Sequence, residues 1–140
     1  MFKILKYEHV GIRVSSREAA IAFYERLGFR VDVDQPEHQA VEMCNDAGIY
    51  INLIYNAQQR SRNILLDEPI KHPGVTHPAF VVDSLDAVMA RLNELGVPIT
   101  EGPVMIGDRR RVCFIRDQDG TVLEFDEILK LRSRKHDQAT

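Results

Sequence analysis

The chain has 140 residues, of which 44% are hydrophobic and 28% are charged, and its formal net charge is −3. This length predicts a single domain spanning residues 1–140, and the acidic balance argues against a dedicated nucleic-acid-binding protein, which is usually strongly basic. No apolar run is long enough to cross a membrane, and the first ten residues do not read as a signal peptide. Cys44 and Cys113 form no C-x-x-C pair and do not suggest a disulfide scaffold. We therefore expect a cytoplasmic protein without nucleic-acid or membrane partners.

The chain contains an internal repeat. Residues 9–31 align without a gap with residues 77–99, and seven of the 23 aligned pairs are identical. A repeat of this length is typical of a duplicated supersecondary unit. One identical pair is His9 and His77, which duplication would place at equivalent positions around a pseudo-two-fold axis. We therefore predict that the two histidines meet at one site.

The first copy, repeat 1, is expected at about residues 4–56 with the element order βαβββ. In its first strand, His9 and Arg13 lie on the face opposite the apolar residues. Ser16 is expected to cap a helix that ends at Gly28. Three further strands are predicted at residues 29–33, 39–44 and 49–56.

The second copy, repeat 2, is expected at about residues 75–129 and has the same order. It follows a polar linker or flap at 57–74 and precedes a charged tail at 130–140 that is expected to fray. Ser84 is expected to cap the helix, Gly96 to end it, and strands are predicted at residues 97–100, 110–116 and 121–129. The sequence thus predicts an α+β fold in which two tandem βαβββ units form a curved mixed β-sheet with a cleft.

Polar side chains alternate with core residues in the last strand of each repeat. Aligning the glycines of the two hairpin turns places Asn52 opposite Glu124. Two neutral imidazoles and a carboxylate that converge on one point make a plausible divalent-metal site. We therefore predict a metal site formed by His9, His77 and Glu124.

Three segments also carry a family resemblance: EHVGIRV…AFYERLGF, THPAFVVDSLDAVMARLNELGV and VCFIRDQDGTVLEF. In these segments the chain resembles the vicinal oxygen chelate superfamily, which includes glyoxalase I, fosfomycin-resistance thiol transferases, extradiol dioxygenases and bleomycin-resistance proteins. The resemblance covers nearly the whole chain up to Ile128 and is closest in pattern to glyoxalase I. It implies a glyoxalase-like fold and one divalent metal ion, for which Ni, Zn, Mn, Co and Fe are all candidates.

The resemblance also implies roles for individual residues. Metal ligands in the superfamily typically come from the first and last strands of each repeat, and the matching positions are His9, Asn52, His77 and Glu124. Glyoxalase I is expected to have a glutamate at the position of Asn52, so Asn52 is only a possible fourth ligand. INLIYN and HVGIRV resemble the strands that hold glutathione in glyoxalase I, which implies that Arg13 and Asn56 bind substrate.

The function that this resemblance favours is that of a metal-dependent lyase or isomerase similar to glyoxalase I. Glu124 would be the catalytic base, and the partner would be a small-molecule substrate, with a glutathione adduct as one candidate. Small proteins of this type often pair, so a homodimer is expected, with the site either within one chain or across the interface.

Three alternatives stay open. Two histidines and one carboxylate form the facial triad of Fe(II) dioxygenases, so an extradiol-type dioxygenase is one of them. The run of Arg109, Arg110 and Arg111 would suit the anionic substrate of a thiol transferase. The third alternative is a non-enzymatic drug-binding protein, which would need no metal ligands.

Overall fold

The computed structural model describes residues 1–60 and 62–132, so Ser61 and residues 133–140 of the expected tail lie outside the described part. Within the described residues the chain forms eight strands and two α-helices, arranged as two successive βαβββ units. The predicted α+β class and the tandem repeat are therefore confirmed. None of the helices in residues 1–60 and 62–132 is long and apolar enough to span a membrane.

The elements of each repeat form one four-stranded mixed sheet with one helix. Repeat 1 consists of β1 (Val10–Arg13), α1 (Arg17–Arg26), β2 (Arg30–Gln35), β3 (Ala40–Cys44) and β4 (Tyr50–Ile54). Repeat 2 consists of β5 (Ala79–Val82), α2 (Leu85–Glu94), β6 (Glu101–Ile106), β7 (Arg110–Arg116) and β8 (Val122–Ile128). The strand orders are β1-β4-β3-β2 and β5-β8-β7-β6. β1 runs parallel to its neighbour β4, and β5 runs parallel to its neighbour β8. The other neighbouring pairs are antiparallel.

The helices begin and end as the sequence predicts. The side chains of Ser16 and Ser84 each accept a hydrogen bond from the backbone N–H three residues further on, at 3.2 and 3.1 Å. This is the usual N-cap bond, which satisfies one of the unpaired donors of the first turn. Gly28 and Gly96 follow the last turns with φ angles of 97° and 71°, a left-handed conformation that favours glycine.

The core of each repeat lies between its helix and one face of its sheet. Ile51 and Leu53 of β4 and Leu123 and Phe125 of β8 are all buried and alternate with polar residues as predicted, whereas Tyr55, expected on the same face, lies beyond β4 and is half-buried. The opposite face of β8 is also buried, because Glu124 and Asp126 are each only 5% exposed. The polar face of this strand is therefore shielded from solvent.

One predicted strand is wrong. Residues 97–100 do not form a strand, and β6 begins only at Glu101. The N–H of Val97 donates to the carbonyl of Leu92 at 2.9 Å and so completes the end of α2. The next residue is Pro98, which has no N–H to give to a sheet ladder. Pairing with β7 starts with the bond from Thr100 N–H to the Phe114 carbonyl, at 2.8 Å.

The described contacts divide the chain into two compact units. Among the described residues, unit 1 comprises Met1–Ile70 together with Asp117–Gly120, and unit 2 comprises Lys71–Arg116 and residues 121–132. The boundary thus differs from that of the sequence repeats, because the turn between β7 and β8 belongs to unit 1.

Hydrogen bonds attach this turn to unit 1. The Tyr24 hydroxyl donates to Asp117 Oδ2 at 2.8 Å, and both residues are buried. The backbone N–H of Ser15 donates to Asp119 Oδ2 at 3.0 Å. The side-chain amide of Asn63, within the segment expected to be a linker, donates to the last carbonyl of the turn at 2.9 Å.

Candidate functional site

His77 and Glu124 lie side by side in unit 2. Their atoms Nε2 and Oε1 are 3.0 Å apart. The sheet explains this placement, because β5 runs parallel to β8 with Ala79 level with Glu124. The Glu124 N–H also donates to the carbonyl of Pro78 at 3.0 Å, which extends the pairing to the residue that follows His77.

The imidazole of His77 is fixed on both sides. Its Nδ1 lies 2.8 Å from the hydroxyl of Thr76, and its ring meets that of Phe114 edge to face, with the centroids 5.7 Å apart. Without a metal, Nε2–H donates to Glu124; a metal would replace that proton, and Nδ1–H would then donate to the Thr76 hydroxyl. The side chain is 30% exposed, so a ligand from solvent can reach it.

Glu124 belongs to a small charged cluster that β7 and β8 build on one face of the sheet. Asp126 is two residues away on the same strand and therefore shares its face. Arg110 reaches over from β7, and its Nη1 lies 3.8 Å from Glu124 Oε2 and 3.3 Å from Asp126 Oδ2. One guanidinium thus balances part of the charge of two buried carboxyl groups.

These surroundings move the two carboxyl pKa values in opposite directions. Burial raises the pKa of Glu124, but Asp126, His77 and Arg110 outweigh that effect and hold it below its ordinary value. Burial also raises the pKa of Asp126, and the neighbouring Glu124 raises it further, to about 6. When one proton is available to this pair, Asp126 therefore holds it and Glu124 stays ionised.

Two buried oxygens of the cluster accept no hydrogen bond from the described residues. Within the part of the chain that the structure describes, Glu124 Oε2 and Asp126 Oδ1 accept no hydrogen bond, although such atoms are nearly always satisfied. A divalent cation is one group that would satisfy a buried carboxylate oxygen. An imidazole nitrogen beside an ionised carboxylate therefore suits two ligand positions of a divalent-metal site.

The other predicted ligands belong to unit 1. His9 lies just before β1, with its side chain 38% exposed and its Nδ1 3.5 Å from Glu8 Oε1. Asn52 lies on β4, level with Gly11 on one side and Glu42 on the other. Over residues 1–60 and 62–132, no group of three or more His, Cys, Asp or Glu side chains is arranged to hold a metal ion.

The two predicted substrate-binding residues contact each other. Arg13 Nε donates to Asn56 Oδ1 at 2.9 Å, and the pair is exposed. The bond holds the guanidinium beside the end of β4, and within residues 1–60 and 62–132 its Nη groups remain available to donate to an anion.

Sequence reasoning did not single out Glu42. It stands directly opposite Asn52 in the antiparallel pair of β3 and β4, where repeat 2 has Phe114 opposite Glu124. Repeat 1 therefore does have a carboxylate on this face, but one strand away from the expected position. The signal was present in AVEMC, where Glu42 is the one charged residue of an apolar strand.

Unit 2 also contains an open pocket of about 570 Å³. It shares Asp126 and Arg110 with the charged cluster. The full lining is Ala79, Val81, Arg109, Arg110, Asp126, Ile128, Leu131 and Arg132.

The family of the chain follows from a match that covers most of its length. The chain belongs to the Glyoxalase/Bleomycin resistance protein/Dioxygenase superfamily, whose model matches residues 6–125. The resemblance to the vicinal oxygen chelate superfamily is thereby confirmed. Members of this superfamily commonly bind a divalent metal and include both enzymes and non-enzymatic binding proteins.

Solved structures show the same fold. A glyoxalase/dioxygenase from Nostoc punctiforme is 18% identical with a TM-score of 0.70, over 93% of this chain and 99% of that chain. A glyoxalase family protein from Enterococcus faecalis is 28% identical with a TM-score of 0.66, over 87% and 97%. TnmS3, an antibiotic binding protein from Streptomyces, is 25% identical with a TM-score of 0.67, over 91% and 99%. No curated protein matches the chain.

Proposed function

We propose that the protein is a divalent-metal-dependent lyase or isomerase similar to glyoxalase I, acting on a thiohemiacetal or a related small oxygenated substrate. The observation that carries the proposal is the contact between His77 Nε2 and the buried carboxylate of Glu124, at 3.0 Å. In a family whose members commonly bind a metal, this pair would supply two ligands, and His9 would supply the third.

The surrounding residues suit this chemistry. When bound, a divalent ion acts as a Lewis acid and stabilises negative charge on a substrate oxygen. Thr76 would hold the imidazole of His77 in the tautomer that presents Nε2. Glu124 would accept the substrate proton, and its low pKa keeps it ionised and ready to do so.

The proposal also covers the substrate, the residues that bind it and the oligomeric state of the protein. We propose a small-molecule substrate, with a glutathione adduct as one candidate, held by Arg13 and Asn56. The hydrogen bond between these two side chains supports a shared role. We also propose a homodimer located in the cytoplasm.

Metal analysis of the purified, tag-free protein tests the proposal. We expect stoichiometric Ni, Zn, Mn, Co or Fe in the wild type, and its loss in His77→Ala because one ligand is removed. The control is His72→Ala, which removes an exposed histidine outside the cluster and should keep the metal. Protein that holds Ni or Zn would then be assayed with the methylglyoxal–glutathione hemithioacetal, and protein that holds iron with catechols under oxygen.

Two results would contradict the proposal. Full metal content in His77→Ala would show that the ligand assignment is wrong. No metal in any variant, even after incubation with the five ions, would show that the protein is not a metalloenzyme.

The second candidate function is a non-enzymatic drug-binding protein. The similarity to TnmS3 at 25% identity and the open pocket in unit 2 favour it. This function would require tight binding of a small molecule by the metal-free protein, with no turnover.

A further inference from the structure

The pocket of unit 2 contains more positive charge than its acidic residue can balance. Arg109, Arg110 and Arg132 line it, and Asp126 is the one acidic residue among the lining residues. Arg110 is engaged by Asp126 and Glu124. For Arg109 and Arg132, by contrast, the described part of the chain provides no carboxylate at ion-pair distance. Two guanidinium groups at this pocket therefore remain available to a ligand.

Apolar surface adjoins these arginines. Val81 and Leu131 are 72% and 89% exposed, although both are large hydrophobic residues, and Ala79 and Ile128 complete the apolar part of the wall. Exposed apolar surface of this kind is costly in water and often marks a binding site. The pocket thus offers, beside an apolar wall, two guanidinium groups that have no described carboxylate at ion-pair distance.

We propose that this pocket binds a small organic anion, whose phosphonate, phosphate or carboxylate group is held by Arg109 and Arg132 and whose apolar body lies on Val81 and Leu131. Guanidinium groups bind such oxyanions through paired hydrogen bonds. The volume of about 570 Å³ lies within the range of roughly 300–1,000 Å³ that is typical of small-molecule sites, which favours a small ligand over a protein partner.

The inference deepens the proposed function, because it adds a second contact, between Arg109 and Arg132 and an anionic group of the substrate, to the contacts proposed for Arg13 and Asn56. Arg110 and Asp126 belong to both the pocket and the cluster around Glu124. An anion seated on Arg109 and Arg132 would therefore lie on the same face of the sheet as the His77–Glu124 pair. Conversion of the bound anion by the enzyme rests on the proposed function. Binding of the anion does not, because it needs no metal.

Isothermal titration calorimetry with hexylphosphonate tests the inference. Methylphosphonate, which lacks the apolar body, and 1-hexanol, which lacks the charge, are the control ligands. We expect hexylphosphonate to bind more tightly than either of them. Arg109→Gln and Arg132→Gln should each weaken binding about tenfold, because each removes a charge-assisted contact. Arg91→Gln, at an exposed helix arginine paired with Glu94, should leave it unchanged.

Each other outcome overturns part or all of the inference. If 1-hexanol binds as tightly as hexylphosphonate, the anionic group contributes nothing to binding. If methylphosphonate binds as tightly, the apolar residues Val81 and Leu131 contribute nothing. No binding of hexylphosphonate, or the same loss in Arg91→Gln as in Arg109→Gln, would overturn the site.

His77→Ala separates this inference from the proposed function. We expect this variant to lose the metal and keep hexylphosphonate binding. If the wild type holds no metal but binds hexylphosphonate, the proposed function fails and the pocket stands. If phosphonate binding is lost in His77→Ala but kept in Arg109→Gln, the metal holds the anion and the pocket assignment fails.

Discussion

Glu124 and Asp126 occupy similar positions two residues apart on β8, yet the fold gives them opposite protonation behaviour. Strand alternation predicts that they share a face, and it also separates them from the core residues Leu123 and Phe125. Alternation cannot predict that this face is buried, because burial depends on side chains from neighbouring strands such as Arg110 and Phe114. The pKa difference between the two carboxyl groups follows from that burial and is therefore a property of the fold.

The raised pKa of Asp126 predicts a pH-dependent gain in stability for Asp126→Asn in metal-free protein. The folded state binds this proton with a pKa of about 6, against about 3.9 for an unfolded aspartate. The wild type therefore loses stability as the pH rises from about 4 to about 6, a loss on the order of 3 kcal/mol. Asparagine carries no such proton, so the variant should gain relative to the wild type over this interval.

Urea unfolding at a series of pH values with a chelator present measures this effect. Asp83→Asn, at an exposed aspartate of the same unit, controls for the substitution itself. A difference between Asp126→Asn and wild type that does not change with pH would contradict the assigned protonation.

Asn52→Glu tests the role of the one departure from the expected ligand set. A carboxylate at this position should tighten metal binding at least about tenfold, or ~1.4 kcal/mol. In the metal-free protein it should destabilise the fold by about 0.5 kcal/mol, because Glu42 stands directly opposite it in the sheet and like charges repel. Competition with a fluorescent chelator measures the first effect, and thermal unfolding the second. Asn93→Glu, on the exposed surface of α2, is the control, and equal metal affinity in both variants would exclude Asn52 from the site.

At the scale of elements, the sequence predicts the ends of helices most clearly, because neighbouring residues determine them. The caps at Ser16 and Ser84 and the left-handed glycines after both helices follow from the backbone geometry of a helix end. The strand expected at 97–100 was wrong because its apolar start completes the end of α2 before pairing with β7 begins. A residue such as Val97 fits either a helix end or a strand, and tertiary contacts decide between them.

The turn at Asp117–Gly120 is an element whose partners lie far away in sequence. Tyr24→Phe removes the hydroxyl that donates to Asp117 Oδ2 and leaves a buried carboxylate oxygen without that donor. We expect a loss of about 1–3 kcal/mol in the free energy of unfolding. Denaturant titration measures it, and Tyr7→Phe is the matched control because Tyr7 is 91% exposed. Equal stability of both variants would show that the bond contributes nothing.

At the scale of the whole molecule, the first seven residues present an unusual amount of apolar surface. Phe2, Ile4 and Leu5 are 81%, 87% and 87% exposed. Such a segment would be stabilised by contact with a second copy of the chain, in keeping with the expected homodimer.

Light scattering tests this expectation. We expect a particle with twice the 16.0 kDa mass of the chain, and dissociation when Phe2 and Leu5 are both replaced by serine. Ile70→Ser, at another exposed apolar residue, should leave the dimer intact. A monomeric wild type would contradict the expectation.

Parts of the candidate site were predictable because a duplicated sequence repeats its geometry. The internal alignment singled out His77 and Glu124, which the structure brings together within unit 2. It could not show that Arg109 and Arg132 line a pocket, since strand alternation does not place loop and tail residues. That His9 joins His77 remains a prediction.

The assignment of the turn at Asp117–Gly120 to unit 1 has a consequence for the history of the chain. After a duplication, two copies that fold separately can accumulate substitutions independently of each other. Here the hydroxyls of Ser15 and Tyr24, in the first copy, donate to Asp119 and Asp117, which the second copy encodes, so a change at either residue removes a donor. Substitutions at these positions are therefore expected to occur in compensating pairs among relatives. The two halves of the gene would then not accumulate substitutions independently.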